Sequence, residues 1–173
     1  MSESRTNADG VIGHFDIGSK GKADLELQST AKQFTVIEVK MGTPLSKGTR
    51  NAKYFDQATR NVACMAEVLH RAMVEPQSVD HLGFVVLAPK YSIEKGTFTG
   101  LVTAESIREK VQKRVADYDW ELDDWYQRAF LPTIEVMDLQ CLSWEEVINW
   151  IYTKKPVAAD QIQNYYALCL EFN

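Results

Sequence analysis

Cysteine is scarce and odd in number in this chain of 173 residues. Cys64, Cys141 and Cys169 are too few and too widely spaced to suggest a disulfide framework or a zinc ribbon, so they read as reduced, mostly buried thiols. Histidine is equally sparse, and His14, His70 and His81 show no metal-ligand spacing. No apolar run approaches the roughly 18 to 20 residues that cross a bilayer, and the polar start Met1-Ser2-Glu3-Ser4-Arg5 has no signal-peptide core. A cytoplasmic protein without membrane contact is the expectation. There is no internal repeat, no low-complexity segment and no long linker rich in Pro or Gly. With 45% hydrophobic and 25% charged residues, the composition excludes a disordered or collagen-like chain and suits one core domain, with room for a helical appendage.

Positive charge is also short overall, 19 Lys+Arg against 24 Asp+Glu for a formal net charge of −5. Taken whole, that balance argues against a protein coated for nucleic acid. Its distribution says more. Residues 20–60 hold eight basic side chains against four acidic ones, whereas residues 104–150 hold 11 acidic against five basic.

The two halves differ in periodicity as well. Residues 11–18, 23–28 and 34–41 read as strands joined by short polar connections, an antiparallel meander in which the second pairs with the third through the turn at 29–33. Residues 51–73 carry Phe55, Ala58, Val62, Met65, Leu69 and Ala72 at steps of three and four, the stripe of a long helix. The apolar run 82–88, ending at Pro89, reads as a strand buried on both faces. Beyond it, Thr103 caps a helix bearing Ile107, Val111 and Val115. Another helix spans about 122–130 and stops before Pro132, and a short strand lies around 136–139. Ser143 and Glu146 then stand at capping-box spacing ahead of Val147, Ile148 and Ile151. A last helix over 158–171 offers Ile162, Tyr165 and Leu168 for burial.

Glu38 and Lys40 interrupt an otherwise apolar third strand, Phe34, Val36, Ile37, Val39 and Met41, whose two faces both read as buried. Being two apart, the charges point to the same side of the sheet, where an unpaired ion costs several kcal/mol, the order of the effective burial penalty. In the expected meander Asp24 of the second strand converges on Glu38. Two carboxylates held together repel unless a proton or a cation lies between them, and oxygen donors without a His or Cys cluster suit Mg²⁺ or Mn²⁺. A neighbouring ammonium, Lys40, can position or deprotonate water and offset charge on a phosphoryl group.

Asp24, 13 intervening residues, Glu38-Val39-Lys40 on an apolar strand, and Gln57 on the helix that follows together resemble the PD-(D/E)XK nuclease superfamily. The segment Gly21-Lys22-Ala23-Asp24 is similar to the family's Gly-x-x-Asp form of the first motif, and Gln57 matches the glutamine of its RecB-like branch. The resemblance covers residues 11–90. It implies a restriction-endonuclease-like α/β fold, a central mixed sheet flanked by helices, and Mg²⁺- or Mn²⁺-dependent hydrolysis of phosphodiester bonds. It implies Asp24 and Glu38 as metal ligands joined by the Val39 carbonyl, Lys40 as the catalytic lysine, and Gln57 as part of the catalytic set. Two departures accompany it. Only ten residues precede Val11, where members often carry a helix with a further acidic residue, and Asn61 occupies the slot four residues after Gln57 that usually holds an aromatic.

Other residues support or qualify this reading. Lys53 and Arg60 share one side of the helix with Gln57 and Asn61, and within the basic segment they are candidate phosphate contacts. Glu26, on the same face as Asp24, is the alternative ligand, while His14 and Asp16 share a strand face near the site. Gly18-Ser19-Lys20-Gly21-Lys22-Ala23 lacks the spacing and the Ser or Thr of a phosphate-binding loop. The acidic stretch Asp117, Asp119, Glu121, Asp123 and Asp124 with Trp120 and Trp125 reads as a solvated helix anchored by tryptophan, or else as a protein-docking surface. The expected organisation is a nuclease-like α/β core over 1–100 with a mostly helical portion over 101–173 packed on it. The expected function is metal-dependent cleavage of DNA, with RNA left open as the alternative substrate. The alternatives are a silent module of the same fold that binds nucleic acid or a protein, and a plain interaction domain that docks a partner through the acidic half.

Overall fold

The computed structural model describes residues 7–18 and 25–172. Four strands form the main sheet in the order β1-β4-β5-β6, with β1 (Gly10–Gly13) antiparallel to β4 (Gln33–Val39), and β5 (His81–Ala88) parallel to both β4 and β6 (Asp138–Ser143). The sheet is therefore mixed, and helices flank it. It draws its edge strand β6 from beyond residue 100, so the helical half contributes to the same sheet as the basic half.

The meander expected from the sequence does not form. The first strand is broken at His14 into β1 and β2 (Phe15–Ile17), and β2 pairs antiparallel with β3 (Leu25–Leu27) as a separate two-stranded ribbon. It is β1, not β3, that lies beside β4. Gly13 allows the break, because a Cβ on it would sit 2.3 Å from the Gln33 carbonyl oxygen, a distance no side chain tolerates.

Along β4 burial alternates. Phe34, Val36 and Glu38 are buried while Gln33, Thr35, Ile37 and Val39 are half-buried, so only one face of this strand is closed rather than both. Its parallel register with β5 sets Phe34, Val36 and Glu38 beside Leu82, Phe84 and Val86, all buried as the apolar run predicts. Helix α1 (Gln57–Arg71) supplies the matching stripe: Ala58, Val62, Met65 and Leu69 are at most 1% exposed, with Phe55 buried just ahead of it. The helix starts six residues later than the expected span of 51–73, because Asp56 accepts a hydrogen bond from the Thr59 amide and fixes the first turn there.

The short helix α2 (Lys90–Glu94) follows β5, and α3 (Ala104–Ala116) begins at the Thr103 cap, with Ile107, Val111 and Val115 fully buried as their spacing predicts. Next, α4 (Asp123–Trp125), a π-helical turn Tyr126–Phe130 and α5 (Leu131–Val136) run on without a break, so the helix does not stop before Pro132. Pro132 has no N–H to give to this run, and it sits directly after the π-helical turn, where the ladder is already shifted, while the Thr133 hydroxyl donates to the Ala129 carbonyl at 2.8 Å. The strand placed at 136–139 consequently begins later, at Asp138. In the acidic stretch Trp125 packs on the core against Phe130, whereas Trp120 is half exposed.

The capping box forms as spaced: the Ser143 side chain accepts from the Glu146 amide at the start of α6 (Trp144–Tyr152), and Glu146 returns the bond. Helix α7 (Pro156–Glu171) packs chiefly on α6 through Ala159 and Tyr166, with Ile162 partly buried. Tyr165 and Leu168, expected inside, are 71% and 52% exposed, because the contact with a single neighbouring helix covers only a narrow stripe. No helix among the described residues is long and apolar enough to cross a membrane.

Candidate active site

Glu38 stands near the carboxyl end of β4, a strand with neighbours on both sides, and is only 1% exposed. A carboxylate so enclosed needs donors, and three side chains supply them. Lys40 Nζ lies 2.6 Å from Oε1, Gln57 Nε2 donates to the same oxygen at 2.5 Å, and Asn61 Nδ2 donates to Oε2 at 3.2 Å. The two-residue spacing along β4 thus places Lys40 beside Glu38, as alternation requires, and the strand then ends with the Lys40 amide bonded to the Leu87 carbonyl at 2.9 Å. Gln57 and Asn61 reach Glu38 from α1, one turn apart on the same helix face.

The position of Gln57 is itself set by the loop at 42–56. Its amide nitrogen donates to the Ser46 carbonyl at 2.9 Å, and its side-chain Oε1 accepts from the Ser46 amide at 3.1 Å and the Ser46 hydroxyl at 3.2 Å. With the carboxamide oxygen so engaged, its nitrogen is turned toward Glu38. The loop is pinned in turn by buried Leu45, Ala52 and Phe55, and by Arg60, whose guanidinium donates to the carbonyls of Lys47 and Phe55 at 3.1 Å each and to the Ser46 hydroxyl at 3.0 Å. Arg60 is therefore tied into the loop that holds Gln57, while Lys53 is exposed on that loop's surface.

A second carboxylate faces Glu38. Continuing the β1–β4 register one residue past the pair Gly10–Ile37 brings Asp9 opposite Glu38, and Asp9 Oδ2 accepts from the Val39 amide at 2.8 Å. Burial is the main force raising the Glu38 pKa above its ordinary 4.5, Lys40 opposes it by hydrogen bond and charge, and Asp9 adds to the rise by charge and side-chain contact. Sequence reasoning misses Asp9 because it lies just outside the strand pattern; the signal that could find it is the β1–β4 register, which depends on a pairing the local pattern does not specify. Asn61 escapes notice as a Glu38 partner for a similar reason, since the docking of α1 on the sheet decides it.

Asp24 lies outside the described residues, so its expected convergence on Glu38 has no geometry here. The route drawn for it, direct pairing of β3 with β4, is replaced by the β2–β3 ribbon. Glu26, the alternative ligand, is exposed on that ribbon and stands opposite Asp16 in its register, and the Asp16 carboxylate accepts from Gln28 at 3.2 Å. His14 is exposed, and its Nδ1 accepts from the Lys32 amide at 3.4 Å. The structure thus brings together Glu38, Lys40, Gln57, Asn61 and Asp9; among the described residues no group of three or more His, Cys, Asp or Glu side chains gathers at metal-binding distance. No family model, curated protein or solved structure matches the chain.

Proposed function

We propose that this chain is a divalent-cation-dependent phosphodiesterase of restriction-endonuclease-like fold that cuts DNA. The observation that carries the reading is the buried Glu38 carboxylate at the end of a central strand, with the Lys40 ammonium 2.6 Å away and the Gln57 amide on the same oxygen. A buried ion pair is poor stabilising material, since desolvation of two charges offsets much of their attraction. Its persistence beside an otherwise apolar strand is better accounted for by chemistry.

The donor set fits Mg²⁺ or Mn²⁺: Glu38 keeps a lone pair on Oε2, Asp9 faces it, Asp24 immediately precedes β3 in the chain, and every available donor is an oxygen. Glu38 and Asp24 would hold the cation with the Val39 carbonyl, and Asp9 adds a facing carboxylate. When bound, such an ion supplies charge to stabilise phosphoryl oxygens and lowers the pKa of water. The chain's own residues do the remainder. Lys40 holds a positive charge where a phosphate would approach, Gln57 holds the Glu38 oxygen that Lys40 also bonds, and the exposed basic side chains of residues 47–53 draw the backbone of DNA toward the site.

A second reading, a module of this fold that binds without cutting, is favoured by the same ion pair, because Lys40 already neutralises Glu38 without help from a cation. One experiment separates the two. The protein is incubated with single- and double-stranded DNA and RNA in Mg²⁺, Mn²⁺ or EDTA, alongside Asp24→Ala, Glu38→Ala and Lys40→Ala. Metal-dependent cleavage of DNA that each substitution abolishes is the expected result; cleavage that survives all three rejects the site. DNA binding that weakens steeply with salt, without cleavage, selects the silent module.

A further inference from the structure

We propose that Asn61 is a positioning residue, whose side-chain amide holds Oε2 of Glu38 in the orientation that a bound divalent cation requires. The inference rests on the reading of Glu38 as a ligand given above.

Asn61 is only 3% exposed and lies on the buried side of α1 among Ala58, Val62 and Met65, each at most 1% exposed. An amide in such surroundings costs free energy unless it is bonded, so an apolar side chain would serve packing alone better. What the amide does there is donate to Glu38 Oε2 at 3.2 Å.

The geometry around Glu38 gives that bond its purpose. An ionised carboxylate offers about four lone-pair directions. Lys40 and Gln57 both bond to Oε1, and Asn61 occupies one direction on Oε2. A single direction on Oε2 is left for a ligand. The terminal torsion of a glutamate is soft and broadly distributed, so bonds to one oxygen alone leave the plane of the group able to turn. Donors on both oxygens, arriving from α1 and from β4, fix that plane. Removing Asn61 leaves Oε1 anchored and Oε2 free to swing. Partners of this kind behind a metal ligand typically change affinity 10- to 100-fold when removed.

The test is calorimetric titration of the whole, EDTA-stripped protein with Mn²⁺ alone, so that the readout is binding and not turnover. Asn61→Leu removes the donor at similar volume, and Asn61→Ser, too short to reach Oε2, carries the test if the leucine variant does not fold. Val62→Ala, an equally buried neighbour on the same helix, is the packing control, and Glu38→Gln tests the underlying reading. The expected result is an Mn²⁺ Kd weakened about tenfold in the Asn61 variants and unchanged in Val62→Ala, even though the latter lowers the melting temperature. Wild-type affinity in a folded Asn61 variant overturns the proposal, as does equal weakening in Val62→Ala. If the wild type takes up no Mn²⁺, or Glu38→Gln binds it as the wild type does, the reading of Glu38 as a ligand fails and the proposal falls with it. Loss of binding in Glu38→Gln with none in the Asn61 variants rejects Asn61 alone.

Discussion

Asp9 faces Glu38 across the β1–β4 pair, and its carboxylate accepts the Val39 amide at 2.8 Å while adding to the rise of the Glu38 pKa. Like charges opposite one another in an antiparallel pair are unfavourable, and the Lys40 ammonium 2.6 Å from Glu38 offsets part of that repulsion; a cation bound as proposed would offset more.

The first prediction concerns pH. Burial raises the Glu38 pKa above 4.5, so between that value and the raised one the folded protein keeps a proton that the unfolded chain releases. Stability from this group is therefore greatest at low pH and declines as pH rises through that interval. Glu38→Gln abolishes this decline. Urea denaturation in EDTA at pH 4, 6 and 8 should show the variant gaining on the wild type as pH increases; a constant difference would contradict the assignment. Mn²⁺ at 100 times its Kd should restore about 2.7 kcal/mol to the wild type and nothing to the variant.

Lys40→Met removes the ammonium that compensates Glu38 while keeping most of the side-chain length. Breaking a buried pair by deleting one member costs roughly 3 to 5 kcal/mol. The pair is enclosed, at 14% and 1% side-chain exposure, so a loss toward the lower end of that range is expected at pH 8. At pH 4.5 the loss should shrink, because Glu38 then protonates. Equal losses at both pH values would mean that Lys40 acts by packing.

Asp56 combines two roles, accepting from the Thr59 amide at 3.0 Å as the α1 cap and pairing with Lys110 of α3 at 2.7 Å. Asp56→Asn keeps the capping oxygen and removes the charge, whereas Asp56→Ala removes both. The alanine variant should be less stable than the asparagine one by about 1 kcal/mol, the typical value of a cap. Guanidinium unfolding of the two variants measures the difference, and identical midpoints would show that the cap contributes nothing.

The basic side chains near the site separate by the same logic. Lys53 is exposed, so Lys53→Ala should weaken DNA binding on all sequences alike and lower the slope of log K against log salt by about 1, with no change in melting temperature. Arg60→Ala should lower the melting temperature as well, since it unfastens the loop that holds Gln57. A variant at Arg60 that melts like the wild type would show that the loop stands without it.

Features fixed by neighbours along the chain are legible in the sequence itself. The stripe of α1, the Thr103 cap with Ile107, Val111 and Val115, the Ser143–Glu146 box and the buried run of β5 each follow from spacing alone. Placement that depends on distant partners is not. Nothing local says that β3 pairs with β2 instead of β4, that a π-turn carries the helix past Pro132, or that α7 buries Ala159 and Tyr166 instead of Tyr165 and Leu168. The site divides in the same way. Glu38 and Lys40 are readable as charges on an apolar strand, and Gln57 from its place on the following helix, whereas Asp9 and the contact of Asn61 emerge only when β1 and α1 dock on β4.

The two carboxylates that face each other are held by strands of unequal permanence. Glu38 belongs to a seven-residue strand paired on both sides, while Asp9 immediately precedes a four-residue strand at the sheet's border. Segments of the second kind open at low free-energy cost and exchange their amide protons first, whereas interior strands exchange near the cost of global unfolding. The constellation therefore comes apart in sequence, shedding Asp9 with the fraying of β1 long before Glu38, Lys40 and their amide partners let go.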